Sequence, residues 1–288
     1  MSNQNENQSS ETEVENVENK EVENKKTGFL AMPNDSIAKT FIVAFALCLV
    51  CSVIVSVAAT LLKPQQQKNR LVDLQKNILS VAGLTDDSQS IEARFEKIEA
   101  RLVDMETGEY SDELDVAEYD QRAAAKDPKL SDDLTAEQDI ASIGRRAKYG
   151  KVYILKDGEQ LEKIIIPIKG YGLWSTMYGF VALKPDGRTI DDVTFYEHNE
   201  TPGLGGEIQN RAWQEVWQGK SVIDDDGKPA FTVVKGRASS DAKYDVDGLA
   251  GATLTSVGVM NLVRFWVGEN GFGPYLKKLA ATAGANNG

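Results

Sequence analysis

Residues 40–62 form a run of 23 without one charged side chain, and nothing else in the chain restricts so strongly what it can build. Phe41, Ile42, Val43, Phe45, Leu47, Leu49, Val50, Val53, Ile54, Val55, Val57 and Leu61 supply the apolar surface. A helix of that length spans about 34 Å, enough to cross the hydrocarbon core of a bilayer. Lys39 and Lys63 close it on either side. A secretory signal is the rival reading. The run is longer than an ordinary signal core, starts far from Met1, and ends at Thr60-Leu61-Leu62-Lys63-Pro64 without a small-x-small cleavage site. A retained single-pass membrane helix over residues 37–63, in contact with lipid, is therefore expected. Charge does not orient it: Lys20, Lys25, Lys26 and Lys39 precede the run, and Lys63, Lys68, Arg70 and Lys76 follow it.

Both cysteines, Cys48 and Cys51, lie inside this run and share one helix face. In a soluble protein that spacing would suggest redox or zinc chemistry. At bilayer depth thiolates are disfavoured and no second cysteine pair exists, so helix packing is the preferred reading. Ahead of the anchor, residues 1–36 hold eight acids, three lysines and a repeating Val-Glu-Asn theme. Such a segment cannot bury enough surface to offset its ordering entropy, and disorder is expected. The formal net charge of -12 excludes a nucleic-acid surface, which needs a basic patch.

Beyond the anchor, Leu71, Leu74, Ile78, Leu79 and Val81 recur at helical spacing, and Ile91, Phe95, Ile98 and Leu102 form a second stripe. Residues 64–150 are read as a helical stalk or a helical part of the soluble domain, acid-rich after residue 104, with a short helix over residues 136–143. The main domain is expected over residues 151–279, with residues 280–288 as a flexible end. Strands over 152–156 and 161–169 flank Asp157-Gly158, a hairpin signal, and Pro167 marks a strand end or an edge. Strands over 177–184 and 190–196 flank Pro185-Asp186-Gly187. A helix over about 207–217 and a late strand over 231–235 follow. Hairpins dominate over strict strand–helix alternation, which predicts an α+β fold with an antiparallel sheet and flanking helices behind the N-terminal membrane helix.

Three turn-rich segments carry the chemistry. In Asp247-Gly248-Leu249-Ala250-Gly251-Ala252-Thr253 the small residues Gly251 and Ala252 leave room around the Thr253 hydroxyl. Val257, Val259, Met260, Leu262, Val263, Phe265 and Trp266 then continue at helical spacing, so a helix opens close to Thr253, with Thr255 or Ser256 as its cap. The unpaired N–H groups and positive dipole end of that helix suit a phosphate. In His198-Asn199-Glu200-Thr201-Pro202-Gly203-Leu204-Gly205-Gly206, three glycines in four positions would let a flat ligand approach the backbone. This is not a P-loop, since no Lys-Ser or Lys-Thr follows, nor a GxGxxG fingerprint. Gly170-Tyr171-Gly172-Leu173-Trp174 lies between two strands. It reads as a turn plugging the core, or as an apolar wall in which Leu173 and Trp174 flank an aromatic ring.

The heptapeptide resembles the flavinylation motif Asp-x-x-(Ser/Thr)-Gly-Ala-Thr of the FMN-binding domain family, found in sodium-translocating NADH:quinone reductases and the related Rnf complexes. The Glu200-Thr201-Pro202-Gly203-Leu204-Gly205 string, the Gly170–Trp174 string, residues 47–52 and residues 271–275 are similar to elements of the same family, so the resemblance covers residues 38–279. The chain departs from the motif at Ala250, where the family has Ser or Thr. The resemblance implies FMN bound covalently to Thr253 through a phosphoester. It places Asp247, Gly251, Ala252, Leu254, Thr255, Glu200, Thr201, Gly203, Leu204, Gly205, Leu173 and Trp174 around the cofactor. It further implies an electron-relay subunit, inactive alone, of a Na+-pumping NADH:ubiquinone reductase, with other subunits of that complex as partners and a flavin transferase acting in maturation. The setting it implies is a bacterial inner membrane with the FMN domain on the periplasmic side.

Rival chemistry finds little support. His198 is the only histidine, so neither a His-rich metal site nor a common catalytic triad fits. Its reading is a loop hydrogen-bonder. Asp224-Asp225-Asp226 lacks EF-hand spacing. An Rnf-type subunit, or a scaffold subunit that has lost flavin, remains as the alternative.

Overall fold

The computed structural model describes Pro33, residues 36–86 and residues 88–285. The acidic tail expected over residues 1–36 falls, apart from Pro33 and Ser36, outside the described residues. The chain divides into two units, Met1–Lys68 and Asn69–Gly288.

Helix α1 (Ile37–Ala82) runs for 46 residues with Pro64 inside it. The anchor and the following helical stretch are therefore one helix, not two. Pro64 removes one backbone donor, yet it sits where the apolar run gives way to Gln65-Gln66-Gln67. Among the described residues α1 is the one helix long and apolar enough to cross a membrane, and none of its most apolar window is buried. Cys48 and Cys51 are exposed free thiols on it.

The second unit is built on a six-stranded antiparallel sheet. Strands β1 (Ile98–Asp104) and β2 (Tyr110–Ser111) come first, then, past two short strands, β5 (Tyr149–Asp157), β6 (Gln160–Tyr171), β7 (Thr176–Leu183) and β8 (Ile190–Glu197), in the order β2-β1-β5-β6-β7-β8. The short strands β3 (Ser131–Asp133) and β4 (Arg145–Ala147) pair only with each other. Side chains alternate across β6. Ile164, Ile166 and Ile168 enter the larger core, while Ile165 faces the smaller one with Ile78, Leu79, Val81 and Ala82 of α1. The larger core is roofed by helix α5 (Thr253–Val267), which buries Val259, Leu262, Val263, Phe265 and Trp266. Short helices α2 (Ile91–Phe95), α3 (Gln121–Ala124) and α4 (Arg211–Glu215), and helix α6 (Gly273–Ala285), complete it.

Several local expectations are corrected. The stripe Ile91, Phe95, Ile98, Leu102 is not one helix: α2 ends at Phe95, and β1 pairs with β5 from Ile98 onward. Sheet residues thus lie well ahead of Lys151. Alternation in Ile98-Glu99-Ala100-Arg101-Leu102 fits a strand as well as a helix, and pairing with β5 decides it. Residues 136–143 form turns, pinned by the Asp139 carboxylate accepting from the N–H groups of Ile143 and Gly144. The helix expected over 207–217 breaks at Asn210 into a 3-10 turn (Gly205–Gln209) and α4, because the Asn210 side chain caps Ala212 N–H. The late strand is only β9 (Thr232–Val233), and it pairs in parallel with β10 (Asp245–Val246), outside the main sheet. Pro167 lies inside a central strand. It pairs with Phe180 of β7, beyond the last β5 partner of β6, Ile165, so its missing N–H faces no neighbour. Residues 280–285, expected as a loose end, continue α6.

Helix α5 sits close on β6. A Cβ at Gly170 would lie 2.5 Å from Leu262 Cβ, and the Trp266 indole N–H donates to Lys169 O at 2.7 Å. Trp266→Ala should cost about 3–5 kcal/mol, read as a lower denaturation midpoint. A change within 1 kcal/mol, on the order of a surface substitution, would show that α5 does not depend on this contact.

Candidate functional site

Thr253 is the first residue of α5 and is exposed. Its predecessor Ala252 holds the cap position and offers no side-chain oxygen, so the first turn keeps unpaired N–H groups. The expected cap at Thr255 or Ser256 is not found; both lie within the helix and their hydroxyls work elsewhere. Ser256 Oγ accepts from Leu249 N–H at 3.1 Å, which folds the heptapeptide back over the helix start. Gly251 makes that turn possible with φ +72°, a region costly for any residue with a Cβ. Ala250 is exposed.

Thr255 is fully buried, and its Oγ1 donates to Glu200 Oε2 at 2.6 Å. Glu200 is only 4 % exposed. Its other oxygen accepts from the backbone N–H groups of Leu173 (3.0 Å), Trp174 (2.9 Å) and Ser175 (3.4 Å). One carboxylate therefore ties the β6–β7 turn to the first turn of α5. Burial pushes the Glu200 carboxyl up, but the Thr255 hydroxyl and the backbone donors outweigh it and hold the group below its ordinary value. The loop carrying Glu200 is fixed in turn: Asn199 N–H donates to Ser175 Oγ at 2.8 Å, and Glu200 N–H to His198 Nδ1 at 3.1 Å. His198 is thus a loop hydrogen-bonder, as its sequence reading proposes.

The glycines of this region divide by role. Gly203, at φ +74° with open space beside it, serves the turn. Gly205 is buried, and a Cβ there would fall 2.6 Å from Thr255 Oγ1 and 2.8 Å from Glu200 Oε2. Its missing side chain is filled by the protein itself, so the expectation of a flat ligand lying on that backbone is corrected at Gly205. Gly172 and Gly258 are equally tight: a Cβ would meet Glu200 Oε1 and Tyr171 O respectively, each at 2.5 Å.

Around this buried clasp lie apolar side chains that no core covers: Trp174 (63 % exposed), Leu254 (62 %), Leu204 (43 %) and Leu173 (39 %), with Tyr171 and Val257. Leu173 and Trp174 are therefore a surface wall and not a core plug. Leu204 borders Gly251, since a Cβ there would stand 3.0 Å from Leu204 Cδ2. Thr201 and Pro202 are exposed on the same loop. Asp247 is employed differently. Its carboxylate accepts from Ala238 N–H and its carbonyl from the Trp213 indole, both at 2.8 Å, so it braces the loop behind the motif.

Sequence reasoning missed Ser175, Ser256 and the close approach at Gly258. A glycine inside a helix costs about 1 kcal/mol unless packing requires it, and that was the available signal. Among the described residues no cluster of metal-ligating side chains forms, and the Asp224 carboxylate is engaged with the N–H groups of Asp226 and Lys228.

The Glu200 contribution to stability is present above the ordinary value of 4.5 and is lost as pH falls through its depressed folded value. Thermal midpoints measured from neutral pH downward should fall more steeply for wild type than for Glu200→Gln in that window. Parallel profiles would contradict the depressed carboxyl. Glu200→Ala should cost about 1–3 kcal/mol through unsatisfied donors.

Residues 172–268 match the family model described as "FMN-binding domain". The NqrC protein of the Na(+)-translocating NADH-quinone reductase of Yersinia pestis is 51% identical over 251 residues, covering 85% of this chain and 94% of that protein. Its counterpart from Vibrio anguillarum is 50% identical over 250 residues, with 87% and 98% covered. The crystal structure of Shewanella oneidensis NqrC superposes with a TM-score of 0.67 at 36% identity, over 72% of this chain and 96% of that one.

Proposed function

The chain belongs to the NqrC family of Na(+)-translocating NADH-quinone reductases, and on that premise we propose that Thr253 carries its FMN through a phosphoester. Family membership makes it an electron-transfer subunit with an FMN-binding domain in a membrane complex of several subunits. When bound, FMN supplies the redox chemistry, accepting and passing on electrons.

The single observation that carries the attachment reading is the contrast between two threonines. Thr253 Oγ1 is exposed at an uncapped helix start, whereas Thr255 Oγ1 is buried and already donates to Glu200. Only the first is open to a modifying enzyme. The free N–H groups of the first turn and the positive end of the α5 dipole suit the phosphate charge. Leu173, Trp174, Leu204 and Leu254 would offer the apolar surface that an aromatic ring system needs. A separate flavin transferase would join Thr253 Oγ to the FMN phosphorus, with FAD losing its pyrophosphate linkage and the hydroxyl its proton. A covalent tether suits a shallow, exposed site, because it keeps the cofactor at high effective concentration while partners approach. Together with α1 this supports a lipid-embedded anchor in a bacterial inner membrane, with the domain of residues 151–279 facing the periplasm.

With transferase co-expressed, flavin fluorescence of the denatured gel band should survive in wild type and in Thr255→Ala and vanish in Thr253→Ala. Thr255→Ala should instead lower stability by about 1–3 kcal/mol, since Glu200 loses a donor in a buried site. A dark wild-type band would favour the scaffold reading, with Ala250 as its cause.

A further inference from the structure

We infer that Glu200 is the positioning residue of this site: its carboxylate fixes the Leu173–Trp174 turn against the first turn of α5 and sets a negative charge beside the cofactor. The inference rests on the FMN reading above and goes beyond it, because attachment at Thr253 requires nothing of Glu200.

The geometry argues for more than a stability role. The turn between β6 and β7 has its backbone held by three donors on one oxygen, while the side chains of Leu173 and Trp174 stand exposed. A backbone so firmly fixed beneath uncovered apolar groups is a wall prepared for something outside the protein. The other oxygen holds Thr255, two residues beyond the acceptor, so the wall and the tether point share one side chain as their link. Gly172 and Gly205 are the form of the chain that lets this carboxylate sit there, since a Cβ at either would strike it.

The charge is equally specific. All four donors are neutral, three amides and one hydroxyl, so hydrogen bonds satisfy the carboxylate but no cation cancels it. The same donors favour the ionised form. A fixed negative charge in a poorly solvated position opposes the addition of electrons to a neighbouring ring, and so holds its reduction potential down. Glu200 would thus serve twice, as clasp and as electrostatic setting.

Glu200→Gln separates the two roles. Gln keeps an oxygen for the turn amides and offers its NH2 to Thr255 Oγ1, but it removes the charge. Glu200→Ala removes clasp and charge together. The full chain, made with flavin transferase and purified in detergent, gives three readouts: fluorescence of the denatured band, visible circular dichroism of the folded flavin, and midpoint potential. All three proteins should carry covalent flavin. Glu200→Gln should keep the wild-type circular dichroism with a more positive potential, and Glu200→Ala should lose the flavin dichroism toward that of free FMN. Either an unshifted Glu200→Gln potential or wild-type dichroism in Glu200→Ala overturns the inference. If Glu200→Ala does not accumulate, the Glu200→Gln potential decides alone. A wild type without covalent flavin would instead remove the attachment reading on which the inference stands.

Discussion

The close seating of α5 on β6 is the constraint from which the site follows. Gly170 admits Leu262, Gly258 admits the carbonyl of Tyr171, and the Trp266 indole closes the interface on Lys169 O. These contacts run along the whole helix, so its start is delivered to the end of β6 where the chain turns into β7. Only there can one carboxylate reach both elements. The larger apolar core, with Ile164, Ile166 and Ile168 beneath Val259, Leu262 and Val263, supplies the burial that holds the two surfaces together.

Selection of one threonine out of two is then a matter of burial and helix phase. Thr253 and Thr255 are separated by two positions, about 200° around a helix, so they cannot share a face. The face that packs on β6 takes Thr255 and gives its hydroxyl to Glu200; the opposite face leaves Thr253 in the open. Leu254 and Val257 are exposed near it, although most of the helix beyond them is buried. That imbalance distinguishes the first turn from the rest of α5 and gives it the character of a binding surface.

Much of this was legible in the sequence. The uncharged run of residues 40–62, the Asp157-Gly158 and Pro185-Asp186-Gly187 hairpins and the 3.6-residue spacing after Thr253 each follow from local rules, and each is found. Residues 98–104 were not legible as a strand, because their pattern satisfies both periods and only pairing with β5 settles it. The parallel pair β9–β10 was missed for a similar reason: two residues per strand leave no period to read. At the site, the sequence marked Glu200, Thr253 and the Leu173–Trp174 wall. It could not show that Gly205 faces the protein's own Thr255 and not a ligand, since that contact joins segments far apart in the chain.

The central claim is that one exposed hydroxyl at the head of α5 holds the cofactor. Fragmentation mass spectrometry of the proteolytic peptide spanning residues 244–264, taken from the chain matured with flavin transferase, tests it most directly. The account predicts the mass of FMN, attached through its phosphate, on Thr253, with Thr255 and Ser256 unmodified. FMN on either of those buried residues, or a peptide unmodified throughout, would contradict it.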